Sequence, residues 1–485
     1  MRLHTSIARI AAGRFVAGAV WLAATVVAAS GQTIDPLNIP DTQLEPVKWS
    51  ELDGWARDDH GSAYAAFQAS CEVFNRQREL HDTRLVAAAL KDICRRMPRA
   101  VALKGDKARA FFEENFRPVR IAKLGENSGL LTGYYEPIVD GSRMPNPQFH
   151  FPLYRRPSDL VVQGQKPVQD QKAGQKKASS PFPNRGTVGR LNDKKQLEPY
   201  YDRLAIEEGA LDGKKLEICY LADPFEVMSI QIQGSARVRL EDGTLLRLNY
   251  DGHNGHNYTA VGRILVERNL IPREEMSMDR IRRWMLANPD QSKEVRGTNK
   301  SYVFFRITGL NREDEPVGAQ GAHLTPGRSI AVDRTHVYGT PFFIESELPI
   351  EGPRPATRFR RLMVAQDTGS AIIGPARADL YWGAGDDAGK VAGRIRHQGR
   401  FVMLMPRSLD MVEAGHKMPL PRAKPPIPTE VAAKSEGKSG DGKSGDGKSS
   451  KTDGKSDNGK SGKSDNSKSG DAKARSQAGK SKPGT

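Results

Sequence analysis

Three aspartates stand close together between residues 364 and 389, among glycines, small residues and aromatics. They are Asp367, Asp379 and Asp386. Asp367 and Asp379 each follow a short run of apolar or small residues and precede turn-forming or aromatic residues, a pattern typical of strand ends that meet at one edge. Because Tyr381 and Trp382 follow Asp379, its carboxyl group is expected to be partly desolvated. Desolvation raises a carboxyl pKa toward the range that a general acid needs near neutral pH.

Asp367 begins the sequence Asp-Thr-Gly-Ser, which has two further interpretations. One is an Asx turn without any chemistry. The other is an aspartic protease, in which two Asp-Thr-Gly aspartates share one proton. The sequence contains a single Asp-Thr-Gly, so a protease would require a homodimer.

The start of the chain predicts export. Arg2, Arg9 and Arg14 precede the apolar segment 15–29, and small residues follow at the end of this segment. The apolar run is shorter than the roughly 20 residues that span a membrane, so we expect a cleaved signal peptide over 1–30, with an uncleaved anchor as the alternative. No cysteine lies nearby for lipidation. The protein is therefore expected to be periplasmic or associated with the cell envelope.

The cysteines suit an oxidising compartment. Cys71 and Cys94 lie in two segments with helical periodicity, and two antiparallel helices would let their thiols face each other. A disulfide between them is the prediction, and three small core residues are the alternative. Cys219, in an apolar run, is expected to be a buried thiol.

The other end of the chain, 408–485, becomes a lysine, serine, glycine and aspartate array that cannot bury enough apolar surface to fold. From residue 423 onward, fourteen Lys and Arg oppose eight Asp and Glu, so 14 − 8 gives +6 of the formal +16. This tail is expected either to contact an anionic envelope surface weakly or to have no partner. The folded part shows no basic run interleaved with aromatics, so nucleic acid is not an expected partner.

The region between the two ends is long enough for two domains. It begins with helices and continues with strands, a flexible insertion at 161–187 and strand-like runs that include 228–240. An Asp-Gly turn centres a hairpin at 239–248. Helices are predicted at 258–269 and 278–288, with Asn288-Pro289 as the stop. Strands with a barrel-like rhythm follow from 302 to 406.

Several segments together resemble the membrane-bound lytic murein transglycosylase A family. They are LTGYYEP (131–137), IQIQGSARVRLEDG (230–243), YDGHNGHNYTAVGRIL (250–265), NKSYVFFR (299–306), LTPGRSIAVD (324–333) and the three-aspartate segment. The resemblance covers about 111–406. It implies a mainly β fold with a helical N-terminal part and two domains separated by a groove. The larger domain would contain a double-psi β-barrel and consist of 31–137 and 299–407, with a second β-rich domain, 138–298, inserted between them.

The resemblance also implies a function: cleavage of the β-1,4 bond between N-acetylmuramic acid and N-acetylglucosamine in peptidoglycan, with a 1,6-anhydromuramoyl product. Asp379 matches the family's catalytic aspartate, which protonates the leaving oxygen and then takes a proton from the sugar's own C6 hydroxyl. We assign Asp367 a supporting role and Asp386 a structural turn. The chemistry needs no cofactor, and a monomer is expected. A non-catalytic wall-binding module is the alternative.

Further polar and aromatic residues are candidates for binding sugars. They are Thr132, Tyr134, Tyr135, Gln231, Gln233 and Ser235. The alternative is that about half of the polar residues on such strands simply face water. His253 and His256 are a weak candidate for zinc because no third ligand is near, and no metal is predicted. Arg328 would contact a substrate carboxylate or form an internal salt bridge.

Overall fold

The computed structural model of the protein describes residues 39–97, 102–163, 187–352 and 356–409. The predicted signal peptide, most of the flexible insertion and nearly all of the tail lie outside these residues. The described strands are β1 (Thr42–Pro46), β2 (Phe116–Lys123), β3 (Gly129–Glu136), β4 (Ile138–Gly141), β5 (Phe151–Tyr154), β6 (Val161–Gln163), β7 (Thr187–Leu191), β8 (Leu197–Pro199), β9 (Glu217–Leu221), β10 (Ser235–Leu240), β11 (Leu245–His253), β12 (Val303–Ile307), β13 (Ser329–Val332), β14 (Pro341–Leu348), β15 (Thr357–Asp367), β16 (Arg377–Ala384) and β17 (Arg396–Pro406). The described helices are α1 (His60–Arg76), α2 (Leu85–Arg96), α3 (Gly105–Asn115), α4 (Arg203–Glu207), α5 (Pro224–Gln233), α6 (Val261–Glu267), α7 (Met278–Ala287), α8 (Pro289–Gly297) and α9 (Gly385–Ala392). Within this part of the chain, none of the helices has both the length and the apolar character that a membrane crossing requires.

The largest sheet closes into a six-stranded barrel. Its strands follow the order β17, β14, β15, β13, β16 and β3, and β3 pairs back with β17. Strand β17 is long enough to pair with β3 through residues 396–399 and with β2 through 401–406. The mainly β prediction and the strands from β13 to β17 are therefore confirmed. β2 was not predicted, because Pro118 and two arginines break its apolar pattern.

Helices α1, α2 and α3 pack against the barrel. Their buried aromatic side chains join one core with the inward residues of β14, β15 and β17; Phe67 and Phe112, for example, are fully buried. A disulfide joins Cys71 of α1 to Cys94 of α2, and Cys219 is a buried free thiol, so both cysteine predictions are confirmed. The helices and the barrel therefore share one hydrophobic core.

A second sheet has the order β12, β11, β10, β4. The predicted hairpin is confirmed as β10 and β11, with Gly243 at φ +80° in the turn, a conformation that favours glycine. Strand β12 pairs with β11. It therefore lies in this sheet, although the division at residue 299 assigned it to the barrel part. Two small sheets, β5 with β9 and β6 with β7 and β8, accompany it.

The segment from Met228 to Gln233 is helical, so its prediction as a strand is wrong. It forms the end of α5, which starts with Pro224 at its first turn and ends before Gly234 at φ +85°. The Asp223 side chain accepts a hydrogen bond from the Glu226 N–H, 2.9 Å away. These capping signals outweigh the apparent alternation of apolar residues.

Of the two helices predicted after residue 257, one differs in extent. Helix α6 is shorter than the predicted 258–269, whereas α7 is confirmed with Ile281, Trp284 and Met285 buried. Pro289 follows the end of α7 and is also the first residue of α8. At this position the N–H that proline lacks would have no partner within the helix. Asp386 lies in the first turn of α9 and not in the predicted turn.

The barrel and the second sheet meet at Pro137, the one residue between β3 and β4. The Glu136 carboxylate is buried beside Pro137 and pairs with Arg237 of β10 at 2.6 Å and with Arg247 of β11 at 3.3 Å. The same two arginines donate to the carbonyl of Asp314, on the segment that returns to the barrel. The segment that leaves the barrel at Pro137 and the segment that returns to it at Asp314 therefore both contact the same cluster of Glu136, Arg237 and Arg247.

Candidate active site

Neighbouring barrel strands bring the candidate acids into one row. Ala331 of β13 is paired with Asp367 of β15 on one side and with Asp379 of β16 on the other. Asp379 is in turn paired with Thr132 of β3, and Thr132 with Arg396 of β17. Asp367 ends its strand as predicted. Asp379 does not, because it is the third residue of β16.

Among the described residues, the Asp379 side chain has one hydrogen bond. The Thr132 hydroxyl donates to Asp379 Oδ1 over 2.7 Å, and Arg377 Nη2 donates to the same hydroxyl over 2.7 Å. Burial raises the pKa of Asp379, while the charge of Arg377 and the Thr132 hydrogen bond act in the opposite direction. The residue is partly accessible, so Oδ2 is left to carry a proton toward solvent or a ligand.

Asp367 is bound on both oxygens. Its Oδ1 accepts from the N–H groups of Ala319 and Thr368, each at 2.9 Å, and its Oδ2 accepts from the Tyr134 hydroxyl at 3.0 Å. Burial raises the pKa of Asp367, the three donors lower it, and the negative charge of Asp379 raises it. Three of the four lone pairs of the Asp367 carboxylate therefore accept a hydrogen bond.

The two carboxylates interact by charge across Ala331. Their strands are separated by one strand, so their backbones lie about 10 Å apart at the usual strand spacing of about 4.8 Å. The negative charge of Asp379 contributes to the raised pKa of Asp367.

Two tyrosines near the acids were not predicted. Burial raises the pKa of Tyr258, and the negative charge of Asp379 contributes to this shift. Burial likewise raises the pKa of Tyr338, which lies near Thr368 and Asp367. Tyr258 belongs to the segment 250–265 that carries the family resemblance, so its position in that motif was the available signal. Tyr338 lies in a loop outside the motifs that carry the resemblance.

The predicted sugar-binding residues have different surroundings. Tyr134 is buried, donates to Asp367 and packs on Tyr381 with 5.2 Å between ring centroids. Tyr135 is partly accessible and packs over Gly389 of α9. Thr132 contacts the acid itself.

The remaining three candidates lie on or beside α5. The Gln231 amide nitrogen donates to the carbonyl of Val303 over 3.3 Å, and Gln231 is buried. Gln233 Oε1 accepts from the Tyr135 N–H over 3.0 Å, which ties α5 to β3. Ser235 is buried at the start of β10. Gln231 and Gln233 therefore each bind a backbone group, on β12 and on β3 respectively.

The other residues that the sequence singled out have structural contacts. Arg328 forms a buried bidentate pair with Asp58, at 2.9 and 3.0 Å, which is the salt-bridge alternative. His256 Nε2 lies 2.7 Å from the carbonyl of Tyr200, and His253 Nδ1 accepts from the Gly255 N–H. Asp386 is exposed on α9.

This arrangement is suited to acid and base catalysis by one residue. A carboxyl group with a raised pKa, one fixed oxygen and one open oxygen can donate a proton and later accept one. Asp367, the second candidate acid, accepts three hydrogen bonds. Its backbone lies about 10 Å from that of Asp379 along the row of strands.

Comparison with known proteins gives a consistent result. Residues 130–306 match the family model described as the MltA specific insert domain, and 328–405 match the 3D domain. The membrane-bound lytic murein transglycosylase A of Vibrio cholerae is 31% identical over 293 residues, which are 58% of this chain and 68% of that protein.

Two solved structures are similar as well. A membrane-bound lytic murein transglycosylase from Agrobacterium tumefaciens aligns with a TM-score of 0.66 and 32% identity, covering 76% of this chain and 99% of that one. The Escherichia coli MltA with bound chitohexaose aligns with a TM-score of 0.52 and 25% identity, covering 76% and 93%. With the closed barrel, the insert and the order of the motifs all in agreement, this chain belongs to the membrane-bound lytic murein transglycosylase A family.

Proposed function

We propose that this protein is a peptidoglycan lytic transglycosylase whose single acid and base is Asp379. The observation that carries the proposal is the environment of this residue: a carboxyl group with a raised pKa, fixed through Oδ1 by Thr132 and open at Oδ2. The names of the relatives and the chitohexaose in one of them support a glycan-strand substrate.

The proposed reaction begins with protonated Asp379 next to the β-1,4 oxygen between N-acetylmuramic acid and N-acetylglucosamine. Asp379 donates its proton from Oδ2 to this oxygen, and the bond to the muramoyl anomeric carbon breaks. The carboxylate then takes the proton of the C6 hydroxyl of the same ring, whose oxygen attacks the anomeric carbon. The product is a 1,6-anhydromuramoyl end, and no water is consumed. An intramolecular nucleophile has a large effective concentration, which is why one acid suffices.

The neighbouring residues assist in defined ways. The Thr132 hydroxyl and Arg377 stabilise the carboxylate that forms when the proton leaves, and the fixed charge of Asp367 favours its return. Asp367 also adds negative charge near the oxocarbenium-like transition state. Tyr135 and Tyr258 are the aromatic residues best placed to contact sugar rings.

The finer features of the fold and location belong to the same proposal. The six-stranded barrel is proposed to be of the double-psi type, with the groove for the glycan between it and the inserted segment. The product chemistry implies a role in cell-wall turnover outside the cytoplasm, so we propose export, with the tail as a weak contact to the anionic envelope. The protein is proposed to act as a monomer without a cofactor.

The test is digestion of purified murein sacculi by the mature protein, followed by mass spectrometry of the released fragments. Lytic transglycosylation yields 1,6-anhydromuramoyl ends, which are lighter by one water than the corresponding reducing ends. Reducing ends would instead mean hydrolysis, cut stem peptides a protease, and intact sacculi with bound protein a wall-binding module. Each of these three results contradicts the proposal.

A further inference from the structure

One arginine reaches the proposed acid through a hydroxyl group. Arg377 precedes Asp379 by two positions on β16, so both side chains point to the same face of the sheet. Strand β3 places Leu130 opposite Arg377 and Thr132 opposite Asp379. The Thr132 hydroxyl oxygen therefore lies between the two charged groups, 2.7 Å from Arg377 Nη2 and 2.7 Å from Asp379 Oδ1.

The chemical types of these three groups fix the direction of both hydrogen bonds. A guanidinium group has donors only, so the Thr132 oxygen must accept from Arg377. A hydroxyl has a single hydrogen, and among the described residues the Asp379 carboxyl group is the only other hydrogen-bond partner of this hydroxyl. That hydrogen is therefore directed at Oδ1. Because the donor to the hydroxyl is charged, it polarises the O–H bond and strengthens the donation to Asp379.

Without Arg377, the contact between Thr132 and Asp379 could run in the opposite direction. A threonine hydroxyl can accept a hydrogen bond as well as donate one, so protonated Asp379 could donate from Oδ1 to Thr132. The proton would then be held inside the protein, and Oδ2 would be a carbonyl oxygen with nothing to transfer. Arg377 is itself held in place, because its Nη1 donates to the carbonyl of Ala378.

We propose that Arg377 is a positioning residue, which orients the Thr132 hydroxyl toward Asp379 Oδ1 and thereby places the transferable proton on Oδ2. The effect on catalysis rests on the proposed function, because Arg377 selects the oxygen that protonates the glycosidic bond. In the first step the proton leaves Oδ2 for the glycosidic oxygen, and Oδ1 keeps the hydrogen bond from Thr132. In the second step the C6 hydroxyl returns a proton to Oδ2. Thr132 and Arg377 neither gain nor lose a proton.

A double-mutant cycle tests whether Arg377 acts through Thr132. The value of kcat on sacculi is measured below the alkaline limb for Arg377→Met, Thr132→Val and the double variant. Each single variant is expected to lower kcat about five-fold, the effect of one hydrogen bond. The double variant should lose no more than either single variant, because both changes remove the same arrangement. A loss equal to the product of the two single losses overturns the proposal, and so does an unchanged kcat in Arg377→Met.

The pH profile distinguishes positioning from a general loss of structure. Arg377→Met should move the alkaline limb to higher pH, because the charge of Arg377 and the Thr132 hydrogen bond both lower the pKa of Asp379. A lower kcat with an unmoved limb overturns the proposal. Arg396→Met is the matched control, since Arg396 is an exposed arginine of β17 in register with Thr132. Its effect on kcat should be the same with and without the Thr132 hydroxyl, and a coupling as large as that of Arg377 overturns the proposal.

Infrared spectroscopy separates this proposal from the proposed function. The C=O stretch of protonated Asp379 is measured in the full-length protein at acid pH and is assigned by its absence in Asp379→Asn. A carbonyl oxygen that accepts a hydrogen bond absorbs at lower wavenumber, so the band should move to higher wavenumber in both Arg377→Met and Thr132→Val. This shift supports the positioning role even if the unmodified protein produces no anhydro ends. An unchanged band in Arg377→Met overturns it, even if anhydro ends are produced.

Discussion

The end of β15 and the start of β16 each place an aspartate in the same row of the barrel, yet the two carboxyl groups have opposite surroundings. Asp367 accepts hydrogen bonds on both oxygens, from two backbone N–H groups and one tyrosine hydroxyl. Asp379 accepts one, from Thr132. Burial raises the pKa of both residues.

This difference shows that burial alone does not select an acid. A buried carboxyl group takes part in proton transfer only if one of its oxygens can reach the substrate, and hydrogen-bond donors of the protein on both oxygens compete with the substrate for them. The turn after β15 supplies fixed donors that hold a charge in place. The middle of a strand, with its backbone groups already paired in the sheet, leaves the second oxygen of Asp379 open.

Replacing Asp379 should give the largest effect. Asp379→Asn keeps the acceptor for Thr132 but removes the transferable proton in both steps, so kcat should fall about 10³-fold or more. The measurement is the rate of release of soluble fragments from sacculi. Asp386→Asn, which changes the third aspartate of the segment, is the control and should keep nearly full activity. An active Asp379→Asn enzyme would remove Asp379 from the mechanism.

Replacing Asp367 should reduce activity less. Asp367→Asn retains an acceptor for the two N–H groups but loses the charge, which is worth about 1–2 kcal/mol across about 10 Å at an effective dielectric constant of about 20. We expect kcat to fall about ten-fold. Because the repulsion is lost, the pKa of Asp379 decreases, and the alkaline limb of the pH profile moves to lower pH. A loss as large as that of Asp379→Asn would instead show that both carboxylates exchange protons.

Removing the Thr132 hydroxyl should have a still smaller effect, with the pH profile moving in the other direction. Thr132→Val removes the hydrogen bond that lowers the pKa of Asp379, so this pKa rises and the alkaline limb moves to higher pH. A hydrogen bond of about 1 kcal/mol corresponds to about a five-fold decrease in kcat. Thr132→Ser keeps the hydroxyl and should restore both values. An alkaline limb that moves to lower pH in Thr132→Val would contradict the hydrogen bond from Thr132 to Asp379.

The smallest effect concerns stability. The pKa of Asp379 is raised in the folded protein, so the stability it contributes is present below the unfolded pKa and is lost as the pH rises through the folded pKa. Asp379→Asn does not ionise, so it should melt at a slightly higher temperature than the unmodified protein at pH 7. The difference should disappear at about pH 3, below the ordinary aspartate pKa of about 3.9. Calorimetry at both pH values measures this, and a lower melting temperature of the variant at pH 7 would contradict the raised pKa.

Much of the fold follows from local patterns in the sequence. Strands β13 to β17 have apolar runs between turn residues, and the hairpin of β10 and β11 has an Asp-Gly turn. Local patterns also misled at one point. The alternation from Met228 to Gln233 resembles a strand, but the cap at Asp223 and the left-handed Gly234 make it a helix. Reading the caps before the alternation would have predicted α5.

The site was less accessible to sequence reasoning. Asp379 could be proposed from its family motif and its aromatic neighbours, but its partner Thr132 is set by the register of β3 against β16. Register depends on how distant strands close the barrel, which no local pattern contains. The same is true of Tyr134, whose hydroxyl is used by Asp367 and whose ring is buried. It was predicted as a surface for sugars because the sequence indicates an aromatic residue but not its direction.

The closure of the barrel also determines the stage of chain synthesis at which the site can first form. Thr132 and Asp379 are 247 positions apart in the chain, and β17, the strand that seals the barrel, is the last of the described strands. Because a ribosome delivers the N-terminal part first, β3 remains without its neighbours until β16 and β17 have been made. A nascent or truncated chain lacking these strands has the threonine but not the acid. The contact between Thr132 and Asp379 inside a closed barrel can therefore form only after synthesis has passed Pro406.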